Sequence, residues 1–315
     1  PSQAQLKASE RTTYPPAYLI TLIEEGDQAG FEKLVSKMPL SERKLVFTTE
    51  IETDSEDDNR SAISVAIKRG ELSLLEAVLK WIPMGQAATA LMKKDNKGRT
   101  PLMLAAATGH TALFSAVATR LPPAEMLELL NAQCAMGNSI FTYGVQSGRA
   151  EMIEAVVARF SANQVIPVLC VKNFVGETPL VHAVRAPGPE AFRVIASILP
   201  SDQVIMQLEA KTDEGHTALT IATRTGVFPI WKEVERRLPT LEVNRQLSMT
   251  DAYGENAIML SIRSGSEVMF ITVVQRLKNE QLLAQLGARN VEGQTPAQVA
   301  VICDAKTILA TMLRP

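Results

Sequence analysis

Apolar residues recur at helical spacing in a block that itself recurs along the chain. Leu75, Phe114, Ile153, Phe192, Trp231, Phe270 and Leu309 begin a stripe, and Val78, Val117, Val156, Ile195, Val234, Val273 and Met312 continue it three residues on. Ile82, Leu121, Phe160, Leu199, Leu238 and Leu277 extend it by a further turn. Spacing of i, i+3 and i+7 lines one face of a helix, so each stripe predicts a helix with a buried side. Pro83, Pro122, Pro200 and Pro239 end it, because proline lacks the N–H that the helix needs. Past that point Leu91, Leu130, Leu169, Leu208, Leu247 and Leu286 hold one column, each preceded by four residues by Ala87, Met126, Val165, Val204, Val243 or Leu282. One turn with one apolar face predicts another, shorter helix.

A turn motif punctuates the same blocks. Asn59, Gly98, Gly137, Gly176, Gly215, Gly254 and Gly293 are equivalent, and each follows the one before by 39 residues. Three residues later stand Ala62, Pro101, Ile140, Pro179, Ala218, Ala257 and Pro296, every one preceded by Ser, Thr or Asn. That pairing is a helix N-cap followed by a first-turn position. Ala66, Ala105, Gly144, Ala183, Ala222, Ser261 and Ala300 then form a column of small residues, which lets a neighbouring helix approach closely. Each block therefore predicts a turn, a first helix, a glycine break, a second helix and a short third helix.

The period sets the expected organisation. Residues 1–13 read as a polar tail, 14–58 as an N-terminal capping unit, and 59–315 as seven repeats of which the last is truncated. The capping unit lacks the turn motif but keeps Gly26, Phe31, Leu34, Val35, Met38-Pro39 and Phe47 in register. It ends in the acidic stretch Glu50, Glu52, Asp54, Glu56, Asp57, Asp58. That run lacks the glycine and the closing glutamate of an EF-hand loop, and reads as a solvated connection.

The segment Gly98-Arg-Thr-Pro-Leu-Met-Leu-Ala-Ala-Ala-Thr-Gly109-His110 resembles the ankyrin repeat, whose signature runs Gly-x-Thr-Pro-Leu-His-Leu-Ala-Ala and then Gly-His. Gly176-Glu-Thr-Pro-Leu, Gly215-His-Thr-Ala-Leu and Gly293-Gln-Thr-Pro-Ala match it more weakly. The resemblance covers residues 14–315 and implies an all-α, ankyrin-like solenoid, here with a short third helix per unit. An ankyrin unit has roughly 33 residues, and the extended unit is similar to those of secreted effectors of intracellular bacteria. The family's histidine after Thr-Pro-Leu is replaced by Ser64, Met103, Thr142, Val181, Thr220, Met259 and Gln298, so a different scheme of bonds between successive turns is expected.

Composition narrows the function. The chain has 46% hydrophobic and 21% charged residues and a formal charge of -2, which suits a folded protein and offers no basic footprint for nucleic acid. Three cysteines cannot build a disulfide framework, and a cytoplasmic setting, or a host cytosol for an effector, is expected. No apolar run is long enough for membrane insertion. The three histidines, His110, His182 and His216, and the cysteines Cys134, Cys170 and Cys303 fall in unrelated columns. They predict no metal site, cofactor or catalytic centre. Small buried packing is favoured for the thiols over a Cys134 or Cys170 nucleophile.

What remains is the reading of a monomeric, non-enzymatic protein-binding module. Two variable columns are the candidate partner surface. The turn tips carry Met136, Phe174, Val175 and Tyr253, residue types enriched at interfaces; packing beneath the third helix is the competing explanation. The ends of the first helices carry Arg185, Arg224 and Arg263 on three consecutive repeats. Cations there also complement the helix dipole. As a partner site they would hold an acidic or extended segment, and replacing all three with Ala is expected to abolish binding while leaving Tm nearly unchanged. The alternative is a substrate-targeting arm of a larger enzyme, consistent with a last repeat that stops at Leu313-Arg314-Pro315 before its third helix.

Overall fold

The computed structural model describes residues 16–48, 61–82 and 86–312. The polar tail, the acidic stretch, Asn59, Pro83 and Leu313-Arg314-Pro315 lie outside them. All described elements are helices, and the chain falls into two compact units, residues 1–168 and 169–315. This division is not visible in a period that runs unbroken through position 169.

In the first unit, Pro16–Glu25, Gln28–Lys37 and Leu40–Thr48 precede the triplet Ala62–Arg69, Leu72–Trp81 and Ala87–Met92. The triplet Pro101–Thr108, Thr111–Ala118 and Pro123–Asn131 follows, and then Ile140–Gln146, Ala150–Val157 and Ala162–Leu169. In the second unit the triplets are Pro179–Ala183, Glu190–Ile198 and Ser201–Glu209; Ala218–Thr225, Phe228–Arg237 and Thr240–Leu247; and Ala257–Arg263, Glu267–Arg276 and Asn279–Gly287. Pro296–Ile302 and Lys306–Met312 complete it. A short third helix therefore accompanies every complete repeat.

Local chemistry explains the boundaries. Thr100, Thr178, Thr217 and Asn256 cap the first helices by accepting the N–H three residues on. Gly70, Gly109 and Gly226 end them in the left-handed conformation. Pro200 and Pro239 directly follow the C-caps of their second helices, whereas Thr111–Ala118 already ends at Thr119, before Pro122; all three prolines start the third helix, their carbonyls accepting from Met126, Val204 and Val243.

First helices of consecutive repeats pack on one another within each unit, as Pro101–Thr108 does on Ile140–Gln146 and Ala218–Thr225 on Ala257–Arg263. The small column is what permits this: Ala66, Ala105, Ala222 and Ser261 are fully buried. The stripe residues are buried too, Trp231 among them, its Nε1 donating to Thr223 Oγ1 at 3.1 Å. The stripe is half-buried at Phe160 and, in the last repeat, at Leu309 and Met312, the last two because a terminal repeat has a described neighbour on one side only.

The second unit also carries a buried column of glutamines, Gln207, Gln246 and Gln285, where the first has Ala90, Leu129 and Val168. Gln246 Nε2 donates to Leu208 O at 3.2 Å, and Gln285 Nε2 to Leu247 O at 2.7 Å. Each amide thus reaches the carbonyl end of the third helix before it, a group left without an intrahelical partner. Gln207 differs: Thr178 Oγ1 donates to its Oε1 at 2.6 Å, and its Nε2 meets Cys170 Sγ at 3.4 Å.

Candidate functional site

Each turn is a short hairpin closed by backbone bonds. In the second unit Asn173 N–H donates to Glu177 O (2.9 Å), Thr212 to His216 O (2.8 Å), Asp251 to Glu255 O (3.1 Å) and Asn290 to Gln294 O (3.0 Å). Asn173, Asp251 and Asn290 Oδ1 also accept N–H groups two and four residues on, which fixes the loop. The glycine that follows has a positive φ in every copy, for example +78° at Gly176 and +81° at Gly215, a conformation that favours glycine.

Successive tips are tied by one backbone bond each: Asp213 N to Val175 O (3.3 Å), Ala252 N to Glu214 O (3.0 Å) and Val291 N to Tyr253 O (2.9 Å). In the first unit Ala135 N donates to Lys97 O at 2.8 Å. Backbone bonds at the tips therefore link the turns where the signature histidine is missing. The tip side chains are left outside. Phe174 is 68% exposed, Tyr253 51% and Val175 42% in the second unit, and Met136 59% in the first. Packing beneath the third helix does not account for them. Val291, two residues before Gly293 as Phe174 is before Gly176, is 70% exposed, a tip residue that its exposure adds to the four.

Arg185, Arg224 and Arg263 all lie at the surface, at the ends of their first helices, but two are engaged. Arg185 holds Glu177 Oε1 through Nε (2.8 Å) and Nη2 (2.7 Å). Arg263 holds Glu255 Oε1 through Nε at 2.5 Å and through Nη2 as well. Both carboxylates are buried. Burial acts to raise the Glu177 pKa, but His182, with Nδ1 3.0 Å from Oε2, and Arg185 together hold it below the ordinary value. Replacing Arg263 with Ala would strand the buried Glu255 carboxylate, and replacing Arg185 would leave the buried Glu177 with His182 alone; taking the partner from a buried charge is destabilising. The expectation that Tm would be nearly unchanged is therefore corrected by the geometry.

Arg224 differs. The position of Glu177 and Glu255 is held in its repeat by His216, whose Nε2 lies 3.2 Å from Arg224 Nη1. His216 is buried, and burial together with Arg224 pulls its pKa down against the opposing effects of Asp251 and Glu214. Oxygens of both carboxylates stand 3.7 Å from Nε2. Among the described residues His216 Nδ1 and Asp251 Oδ2 have no hydrogen-bond partner.

Cys134 Sγ accepts from Met136 N at 3.3 Å, and burial pushes the Cys170 thiol up beside Gln207, away from the thiolate form that nucleophilic chemistry uses. Among the described residues no group of three or more His, Cys, Asp or Glu could hold a metal ion. No helix among them is long and apolar enough to cross a membrane.

No model of a known protein family matches the chain, and neither does any curated protein. Solved structures do resemble it. One is the ankyrin repeat domain of human ASB11, 14% identical, covering 81% of this chain and 99% of that one with a TM-score of 0.52. At that identity the likeness shows the fold, which is that of an ankyrin-repeat domain built here from 39-residue units.

Proposed function

We propose that this chain is a protein-binding module whose second unit presents Phe174, Val175 and Tyr253 at its turn tips, and the arginine column at the ends of its first helices, of which Arg224 alone is not held by a buried glutamate, to a partner protein. The observation that supports it most is the exposure of large apolar side chains on a backbone fixed by turn-to-turn hydrogen bonds. Rigid, half-wet aromatic anchors are what protein interfaces use, and exposed turns otherwise favour polar residues. Met136 offers a similar anchor in the first unit. An effector would present this surface to a host protein and a targeting arm to the substrate of a linked enzyme, both in a compartment that keeps the three free thiols reduced.

The test is affinity capture from a eukaryotic lysate with the wild-type chain and with Phe174→Ala/Tyr253→Ala. The proteins retained by the wild type should be lost from the variant, while the melting curves coincide because both side chains are largely in water. An unchanged set of captured proteins would remove the tips from the reading.

A further inference from the structure

The three arginines occupy one position in three consecutive repeats, so the residue facing each decides what its guanidinium can do. Arg185 and Arg263 each close Nε and Nη2 onto a single oxygen of a buried glutamate. They tie the end of the first helix to the turn before it, and their charge is already paired with a buried carboxylate. In the middle repeat the glutamate is replaced by His216, which takes one bond from Arg224 Nη1. Nε and Nη2 of Arg224 have no hydrogen-bond partner among the described residues, and no carboxylate forms an ion pair with it. The side chain is exposed. A planar guanidinium with an unused face and full charge matches a carboxylate bidentately.

We propose that Arg224 receives an aspartate or glutamate carboxylate from an acidic segment of the partner protein, while Arg185 and Arg263 serve as struts of the repeats. This rests on the tip-and-helix-end reading above and names the chemistry of what binds there. Acidic neighbours set its limits. Asp251 gives Oδ1 to the N–H groups of Tyr253 and Glu255 and is fixed in its turn. The Glu214 side chain is 51% exposed and repels an incoming anion through solvent, where screening weakens it. Direct contact with Arg224 outweighs that repulsion, and removing the Glu214 charge should strengthen binding.

The experiment selects a phage-displayed random peptide library of about twelve residues on the full chain, then measures one selected peptide by fluorescence anisotropy. Selected peptides should be rich in Asp and Glu. Arg224→Gln should weaken binding about tenfold or more, the scale of one charge-assisted hydrogen bond, whereas Arg185→Gln should cost less than about threefold. Exchanging the peptide's critical Glu for Gln should cause the same loss, without adding to Arg224→Gln. His216→Glu should reproduce the flanking repeats, engage Arg224 internally and abolish the preference for acidic peptides; Glu214→Gln should raise affinity.

Peptides without acidic enrichment, or equal affinity for wild type and Arg224→Gln, would overturn the assignment. If such binding is still lost in Phe174→Ala/Tyr253→Ala, the tip reading survives and only the role of Arg224 falls. A library that yields no binder, or binders indifferent to both sets of substitutions, removes both.

Discussion

The turn-to-turn hydrogen bonds can be tested with two glycines that share a backbone conformation but not a neighbourhood. Gly70 (φ +83°) ends a first helix, and an added Cβ would meet nothing within 4 Å among the described residues. Gly98 (φ +71°) sits in a turn, and its Cβ would stand 2.7 Å from the backbone nitrogen of Ala135. That nitrogen is the donor to Lys97 O at 2.8 Å. A non-glycine residue in the left-handed region costs about 1–2 kcal/mol, and alanine recovers about 0.4–1 kcal/mol by restricting the unfolded chain. Gly70→Ala should therefore destabilise by about 0.5–1.5 kcal/mol. Gly98→Ala adds the displacement of Ala135 and the loss of its bond, a further ~0.5–1.5 kcal/mol, for a total of about 1–3 kcal/mol. A repeat protein need not melt in one step, so the decisive assay is hydrogen exchange at the Ala135 amide. Its protection should fall severalfold in Gly98→Ala and stay unchanged in Gly70→Ala. Equal destabilisation by the two variants, with Ala135 equally protected in both, would refute the argument that the turns are coupled through this bond.

Two further outcomes follow from the ionisable groups of the second unit. His216 has a folded pKa below its ordinary 6.5 because it is buried, so the unfolded chain binds the extra proton first. Stability should be insensitive to this group above about pH 6.5 and fall as pH drops below it; His216→Gln should flatten that part of a pH-dependent urea titration, and an unchanged slope would contradict the assignment. Glu233 is the converse case. Its burial acts to raise the pKa, but hydrogen bonds and charge from Arg237, together with Arg193 on the preceding repeat (2.9 Å), outweigh burial and hold it at about 2. Its stabilisation should be complete above the ordinary carboxylate pKa and disappear as pH falls toward about 2. Glu233→Gln should thus be less stable than wild type at pH 7 and closely similar near pH 2 by circular dichroism.

The sequence by itself determined the repeat, its three helices and its turn. Those features depend on local rules: helical apolar spacing, Thr or Asn at the N-cap, proline between helices, and glycine where φ is positive. It also placed Phe174, Val175 and Tyr253 at tips, since turn register follows directly from the period. Their exposure could be decided only by where the third helix packs.

The arginine row was legible as a column but not as chemistry. Glu177 and Arg185, or Glu255 and Arg263, stand eight residues apart, a separation that makes no contact along a single helix. They meet across the length of the short first helix, the glutamate standing in the hairpin before it and the arginine at its far end. The glutamine column had a readable signal, three Gln at the repeat period before an invariant Leu, but its meaning depended on which carbonyls the packing left unpaired. The division into two compact units likewise had no sequence signal, because packing between repeats decides it while the period passes through unchanged. Tertiary structure thus settled charge, because a guanidinium acts according to the groups brought against it: buried glutamates for Arg185 and Arg263, and a buried histidine for Arg224.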